Sequence, residues 1–257
     1  MKFYIGIFDF SQAHLFDRVF ISANRIRSKH RKSNFAVKDW ILDSGAFSEL
    51  ANYGRYRFAV EEYADIVNRW TKCGNLELAV SQDYMCEPFM LSKTGLPVWR
   101  HQELTIERYD SLMKLTDVTI MPVLQGFSPD EYITHLMMYG CRLHEGMRVG
   151  IGSVCKRNRY PAQIATVLES VKRLRPDLRL HGFGLKVTAL KDTYIDSLLY
   201  SADSMAWSMA ARRQGRNGNS STEALRFRQS IEASCGTKPS QMRLALEHSC
   251  WSGACGH

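Results

Sequence analysis

Short apolar runs alternate with amphipathic stretches along almost the whole chain. Residues 3–8, 19–22, 40–43, 76–83, 118–125, 147–152, 178–185 and 203–208 have the length and apolar content of buried parallel strands. Between them, residues 61–72, 98–115, 128–139, 161–174, 188–199 and 220–232 repeat apolar positions at helical spacing. Ser128-Pro129-Asp130-Glu131 reads as a helix start: a hydroxyl cap, a proline suited to the first turn, and acids near the positive end of the helix. Eight strands alternating with helices predict an α/β protein, a single-domain (β/α)8 barrel of the TIM type. A doubly wound open sheet is the alternative. No Gly-x-Gly-x-x-Gly follows the first strand and no phosphate-loop Gly-Lys-Ser/Thr occurs, so a dinucleotide or phosphate-loop site has no support. No internal repeat is present.

The strand ends carry the polar signal. Trp40-Ile41-Leu42 stops abruptly at Asp43-Ser44-Gly45, followed by Ala46 and Phe47. Barrel enzymes place their active-site residues at the C-terminal ends of strands. The alternative is that Asp43 or Ser44 caps a following helix. The other strand ends repeat the pattern: Gln82-Asp83, Gln125-Gly126, Gly150-Ile151-Gly152-Ser153, Gly182-Phe183-Gly184 and Asp203-Ser204. Three carboxylates and a glutamine would converge there, among glycines that let a flat ligand approach the backbone. Two carboxylates flanking one bond suit chemistry at a glycosidic carbon. A further Asp and Gln can read the donor and acceptor edge of a base, and Phe47 can stack on it.

The chain has 257 residues, 45% hydrophobic and 23% charged, ordinary for one large globular domain. Its net charge is +8, compatible with a nucleic-acid partner. The basic residues cluster: Arg25, Arg27, Lys29, Arg31 and Lys32; then Lys156, Arg157 and Arg159; then Arg212, Arg213 and Arg216. Each cluster follows a predicted strand, which predicts a basic rim on one face, against the plainer reading of solvated surface. No apolar run is long enough to span a bilayer, and residues 1–4 do not read as a signal peptide, so a cytoplasmic protein is expected. Seven cysteines, an odd and scattered set, do not form a disulfide framework.

The motifs, in order over residues 40–218, resemble those of tRNA-guanine transglycosylases. Asp43-Ser44-Gly45-Ala46-Phe47 is similar to their Asp-Ser-Gly-Gly-Phe/Tyr motif, and Val123-Leu124-Gln125-Gly126 to their Val-Gln-Gly strand. Val149-Gly150-Ile151-Gly152 and His181-Gly182-Phe183-Gly184 occupy the places of two later glycine motifs. Arg213-Gln214-Gly215-Arg216-Asn217-Gly218 resembles Arg-x-Gly-Arg-Asn-Gly. The chain is shorter than the bacterial tRNA enzymes. The segment Ala202-Asp203-Ser204-Met205-Ala206-Trp207-Ser208 replaces their Asp-x-Phe-Asp. These departures look more like the DNA-modifying branch, the 7-deazaguanine DNA transglycosylases (DpdA-type) of phages and bacterial DNA-modification clusters.

The resemblance implies exchange of guanine in DNA for a 7-deazaguanine base such as preQ0, through a covalent aspartyl-glycosyl intermediate. It implies Asp203 as nucleophile, Asp43 as general acid/base, and Asp83 and Gln125 as readers of the base. Gly152 and Gly184 would offer backbone, and Ser44 and Phe47 would complete the pocket. Arg25, Arg27, Lys156, Arg157, Arg212, Arg213 and Arg216 are expected to face nucleic acid. A homodimer or accessory modification proteins fit the same picture. Other readings are an RNA-modifying sister enzyme, a barrel hydrolase on sugars or nucleosides, and a non-catalytic zinc-stabilised nucleic-acid-binding barrel. His101 and Glu103 are expected on a helix surface or in structural pairing, Trp207 in the core or barrel rim, and Met137 and Met138 as core filling. Residues 1–232 would form the barrel. Residues 233–257 would form a segment in which Cys235, Cys250 and Cys255 with His248 or His257 complete a structural zinc site, or else a frayed reduced tail.

Overall fold

A computed structural model describes residues 1–29, 35–158 and 160–235. Its nine strands are all parallel: β1 Lys2–Gly6, β2 Arg18–Ser22, β3 Asp39–Asp43, β4 Asn75–Val80, β5 Ile120–Met121, β6 Val123–Leu124, β7 Arg148–Ile151, β8 Arg179–Gly182 and β9 Ser201–Ser204. The sheet order is β5-β4-β3-β2-β1-β9-β8-β7-β6. Its two ends are neighbours in sequence, parted by Pro122, which has no N–H to give a ladder. Ser81 N donates to Met121 O at 3.0 Å on one side, and Gly150 N to Pro122 O at 2.8 Å on the other. Residues 120–124 thus act as one stave pairing both β4 and β7, and the sheet forms a nearly closed α/β barrel of the TIM type.

Alternation along the strands divides the apolar residues into two layers. Tyr4, Ile41, Leu78, Val80, Met121 and Val123 fill the barrel, with Phe20 and Phe183 packed on them. Their neighbours Ile5, Leu42, Ala79, Leu124, Val149 and Ile151 point outward into a core shared with the helices. Toward the start of the strands the interior is polar. The pairing of β3 with β4 skips Glu77, a bulge. The Glu77 carboxylate accepts from Tyr4 Oη at 2.7 Å and from Arg148 Nη2 at 2.9 Å, while Arg148 Nη1 donates to Tyr4 Oη at 3.1 Å. Each partner satisfies another, which is what a buried charged network requires.

The helices are α1 Ala23–Ile26, α2 Ala46–Tyr53, α3 Val60–Trp70, α4 Pro88–Thr94, α5 Val98–Leu115, α6 Pro129–Tyr139, α7 Pro161–Leu174, α8 Val187–Leu190, α9 Thr193–Leu198, α10 Ala206–Arg213 and α11 Ser221–Cys235. The helix start at Ser128 is a capping box: Ser128 Oγ accepts from Glu131 N, and Glu131 Oε2 from Ser128 N at 3.0 Å. Among the described residues no helix is long and apolar enough to cross a membrane.

Some expectations are corrected, and those for His101, Glu103 and Trp207 hold. The last strand is Ser201–Ser204, not 203–208, and Ala206 to Ser208 belong to α10. The helix expected over 188–199 is two short ones, broken where Asp192 caps α9 through Tyr194 N and Ile195 N. Helices α2 and α4, of eight and seven residues, are too short for the periodicity to reveal them. His101 lies on α5 but is fully buried; its Nδ1 meets Met85 O and its Nε2 meets Thr94 Oγ1, both at 2.7 Å, so its role is structural pairing. Glu103 pairs with Arg100 at 3.0 Å. Trp207 is core, its Nε1 donating to Gly6 O at 2.9 Å. Met137 is 70% exposed and fills no core.

Candidate active site

A cavity of about 670 Å³ opens at the C-terminal ends of the strands. Asp43 ends β3, Asp203 lies on β9, and Asp83 and Gln125 follow β4 and β6; all four line the cavity, with Phe47, Gly152 and Gly184. Ser44 does not line it; it is buried. Its hydroxyl has no hydrogen-bond partner among the described residues.

The three carboxylates sit in different surroundings. Asp43 Oδ2 accepts from Gly45 N at 3.2 Å. Burial, aided by the negative charge of Asp203, pushes the Asp43 carboxyl up to about 6, against hydrogen bonds from Ser22, Gly45 and Ser44 that favour the anion. Gly45 has φ +77°, and a Cβ there would fall 2.5 Å from Asn24 Nδ2, which donates to Gly45 O at 3.3 Å. Only glycine fits this turn.

Asp83 is held by Gln125, whose Nε2 donates to Asp83 Oδ2. Burial pushes the Asp83 carboxyl up to about 7; the Gln125 hydrogen bond opposes the rise and the Asp43 charge adds to it. Gln125 is fully fixed in turn. Its Oε1 accepts from Ser153 Oγ at 3.0 Å, its N–H donates to His135 Nδ1 at 2.8 Å, and its carbonyl accepts from Gln102 Nε2 at 2.8 Å. A Cβ on Gly152 would stand 2.1 Å from Gln125 Nε2, so glycine there makes room for the amide.

Asp203 Oδ1 receives Gly184 N at 3.1 Å and faces His181 Nε2 at 3.3 Å, while its main-chain carbonyl accepts from Leu185 N at 3.0 Å. The glycine motif after β8 thus curls over this carboxylate, with Gly184 at φ +60°.

The basic residues divide. Arg25 and Arg27 line the cavity. Arg25 lies over the Phe8 ring at 4.6 Å, and Arg27 over Phe58 at 3.8 Å. Arg212 does not line the cavity; it lies 5.3 Å from the Phe8 ring and donates to Asn219 Oδ1 at 3.3 Å. Arg157 donates to Phe127 O, Arg216 pairs with Glu223 at 2.8 Å, and Arg213 is exposed; none of the three lines the cavity. Lys156 falls in the 3-10 turn Val154–Arg157, its side chain outside the description. Arg31, Lys32 and Arg159 lie outside the described residues. Cys250, Cys255, His248 and His257 lie outside the described residues, as does the Cys235 side chain. Among the described residues no group of three or more His, Cys, Asp or Glu is placed to hold a metal.

Sequence reasoning passed over Ser22 and Asn24, and quoted Ser153 and His181 within strand-end motifs without giving either a role. Ser153 is the one described non-glycine residue with positive φ, at +60°, a strained conformation that aims its hydroxyl at Gln125. The signal for His181 was present in the alternation of β8, which turns it to the barrel interior beside Phe183.

No curated protein matches the chain. The family model described as DpdA, DeoxyPurine in DNA protein A, matches residues 1–245. With nearly the whole chain covered and three carboxylates gathered at the mouth of the barrel, the protein belongs to the DpdA family of DNA 7-deazaguanine transglycosylases.

Proposed function

We propose that the cavity exchanges guanine in DNA for a 7-deazaguanine base of the preQ0 type through a glycosyl ester on Asp203. One observation carries this reading: Asp43, Asp83 and Asp203 share a single cavity, and two of them take up protons near neutrality. Asp203 attacks the sugar C1′, the bond from C1′ to the guanine nitrogen breaks, and Asp43 gives a proton to the leaving base. The incoming base then returns a ring proton to Asp43 and displaces Asp203 from C1′. Two inversions give net retention. A carboxyl raised to about 6 suits this alternation better than an ordinary Asp, since it holds and releases its proton close to working pH.

Asp83 and Gln125 face the base edge; the Gly152 N–H and carbonyl are engaged by Leu124 O at 2.9 Å and Tyr132 Oη at 2.6 Å. Phe47, exposed at the lip, supplies a ring for stacking. Because the glycosidic bond of a paired base is inaccessible within the duplex, the target nucleotide has to leave the stack to reach these groups.

The test is a base-exchange assay. Purified protein is mixed with DNA, and separately with tRNA, carrying labelled guanine, together with preQ0 or preQ1. Guanine release from DNA is expected, falling at least about a thousandfold in both Asp43→Ala and Asp203→Ala. Release from tRNA alone would move the activity to RNA. Release without insertion would make the protein a hydrolase.

A further inference from the structure

His181 is wholly buried on β8, in register with Ser201 on β9. Its Nδ1 lies 2.9 Å from Ser201 Oγ and its Nε2 lies 3.3 Å from Asp203 Oδ1. A carboxylate only accepts, so Nε2 donates to Asp203, and the Ser201 hydroxyl, able to give or to receive, completes the chain at Nδ1. The ring has little freedom. It stacks on Phe20 at 5.8 Å and 14°, and meets the Phe183 ring edge-on at 4.9 Å. Phe183 has space beside it because residue 150 is glycine; a Cβ there would stand 2.4 Å from the Phe183 ring. A buried imidazole held at both nitrogens and packed against two aromatic rings is more than filling.

We propose that His181 is the positioning residue of the nucleophile: the Ser201–His181–Asp203 chain pins Oδ1 and leaves Oδ2 to attack. This rests on the reading of Asp203 as nucleophile. Gly184 N and His181 Nε2 both fall on Oδ1, so the carboxylate has one oxygen tied and the other turned to reaction. In the first step Oδ2 forms a bond to C1′, the bond from C1′ to the base breaks, and its electron pair leaves with the base, which takes a proton from Asp43. In the return step the incoming base bonds to C1′ and passes its ring proton to Asp43, the C1′–Oδ2 bond breaks, and its electron pair comes back to Asp203, where the same two donors face the restored negative charge. His181 itself touches neither base nor sugar.

The experiment follows formation of the covalent enzyme–DNA adduct in a single turnover, together with DNA affinity and melting midpoint. His181→Phe keeps the ring and removes the donor; His181→Gln places an amide N–H near the position of Nε2. Adduct formation is expected to slow about ten- to hundredfold in His181→Phe, the effect of losing one hydrogen bond to a charged group, with DNA affinity unchanged. His181→Gln should recover most of the rate. A wild-type rate in His181→Phe, or a His181→Gln as slow as His181→Phe at the same melting midpoint, would overturn the proposal. If His181→Phe does not fold, Ser201→Ala decides: a several-fold slower adduct at an unchanged midpoint supports the chain, and a wild-type rate removes it. Asp203→Asn runs alongside. An adduct there would sink the nucleophile itself, whereas an inert Asp203→Asn beside a fast His181→Phe sinks only the positioning role.

Discussion

Asp83 is where function conflicts most directly with stability. Its carboxyl, ordinarily ionised at neutral pH, is raised to about 7 mainly by burial. The folded state therefore binds a proton that the unfolded chain releases near pH 4. Stability falls as pH rises from about 4 through 7, because the unfolded state gains from ionisation and the folded state does not. Asp43, raised to about 6, acts in the same direction over a narrower window. Asp83→Asn keeps the acceptor for Gln125 and removes the charge. It should raise the melting temperature at pH 8, by an amount on the order of 1–4 kcal/mol in stability, and change little at pH 4.5. Base exchange should fall sharply in the same variant. Melts at the two pH values check this. A variant equally shifted at both, or destabilised only at pH 8, would show that the Asp83 charge is better accommodated than its burial implies.

At the scale of elements, the turn from β3 to α2 links the carboxylate to the backbone that holds it. Gly45 N is a donor to Asp43, and Gly45 takes φ +77° against the Asn24 amide. Gly45→Ala combines strain of about 1–2 kcal/mol with displacement of Asn24. It should lower stability by at least that amount and slow guanine release more than tenfold, read from denaturant melts and the exchange assay. Retained activity at reduced stability would mean that Asp43 does not depend on this turn. The same turn was legible in the sequence, because an apolar strand there stops at Asp-Ser-Gly. So were the barrel and most strand ends, where apolar runs meet polar residues. The ninth strand was read two residues late, from Asp203, and for a physical reason. Its residues Ser201, Ala202, Asp203 and Ser204 are all buried, yet three are polar because they bond to one another's neighbours at the site. A strand built for chemistry loses the apolar signature by which strands are read, so the reading slid forward to Met205-Ala206-Trp207. Ser153 was hidden similarly: its positive φ is set by tertiary contacts and has no local mark such as glycine.

For the whole molecule, the +8 charge acts through where it is exposed. Arginines stand against aromatic rings around the cavity: Arg25 and Arg212 on Phe8, Arg27 on Phe58, Arg57 on Tyr53 at 3.8 Å. They are not equivalent. Arg57 is paired with Glu49 at 2.9 Å, and Arg212 gives a bond to Asn219, so part of each is engaged within the protein. Arg27 reaches Asn24 Oδ1 only at 3.5 Å, and its Nε and Nη1 are shielded without a hydrogen-bond partner among the described residues. Burial lowers its pKa from the usual arginine value, although the guanidinium remains charged at neutral pH. On the proposed function, this cation at the lip of the cavity meets the phosphate next to the extruded nucleotide through its charge, while the shielded Nε and Nη1 take no part. Arg27→Gln should therefore weaken DNA binding and reduce the slope of log affinity against log salt by about 0.7–0.9, the loss of one phosphate contact. Binding of free 7-deazaguanine, which carries no phosphate, should stay unchanged. An unaltered salt slope would assign Arg27 to holding the α1 turn, and equal losses for DNA and for the free base would place its effect inside the pocket.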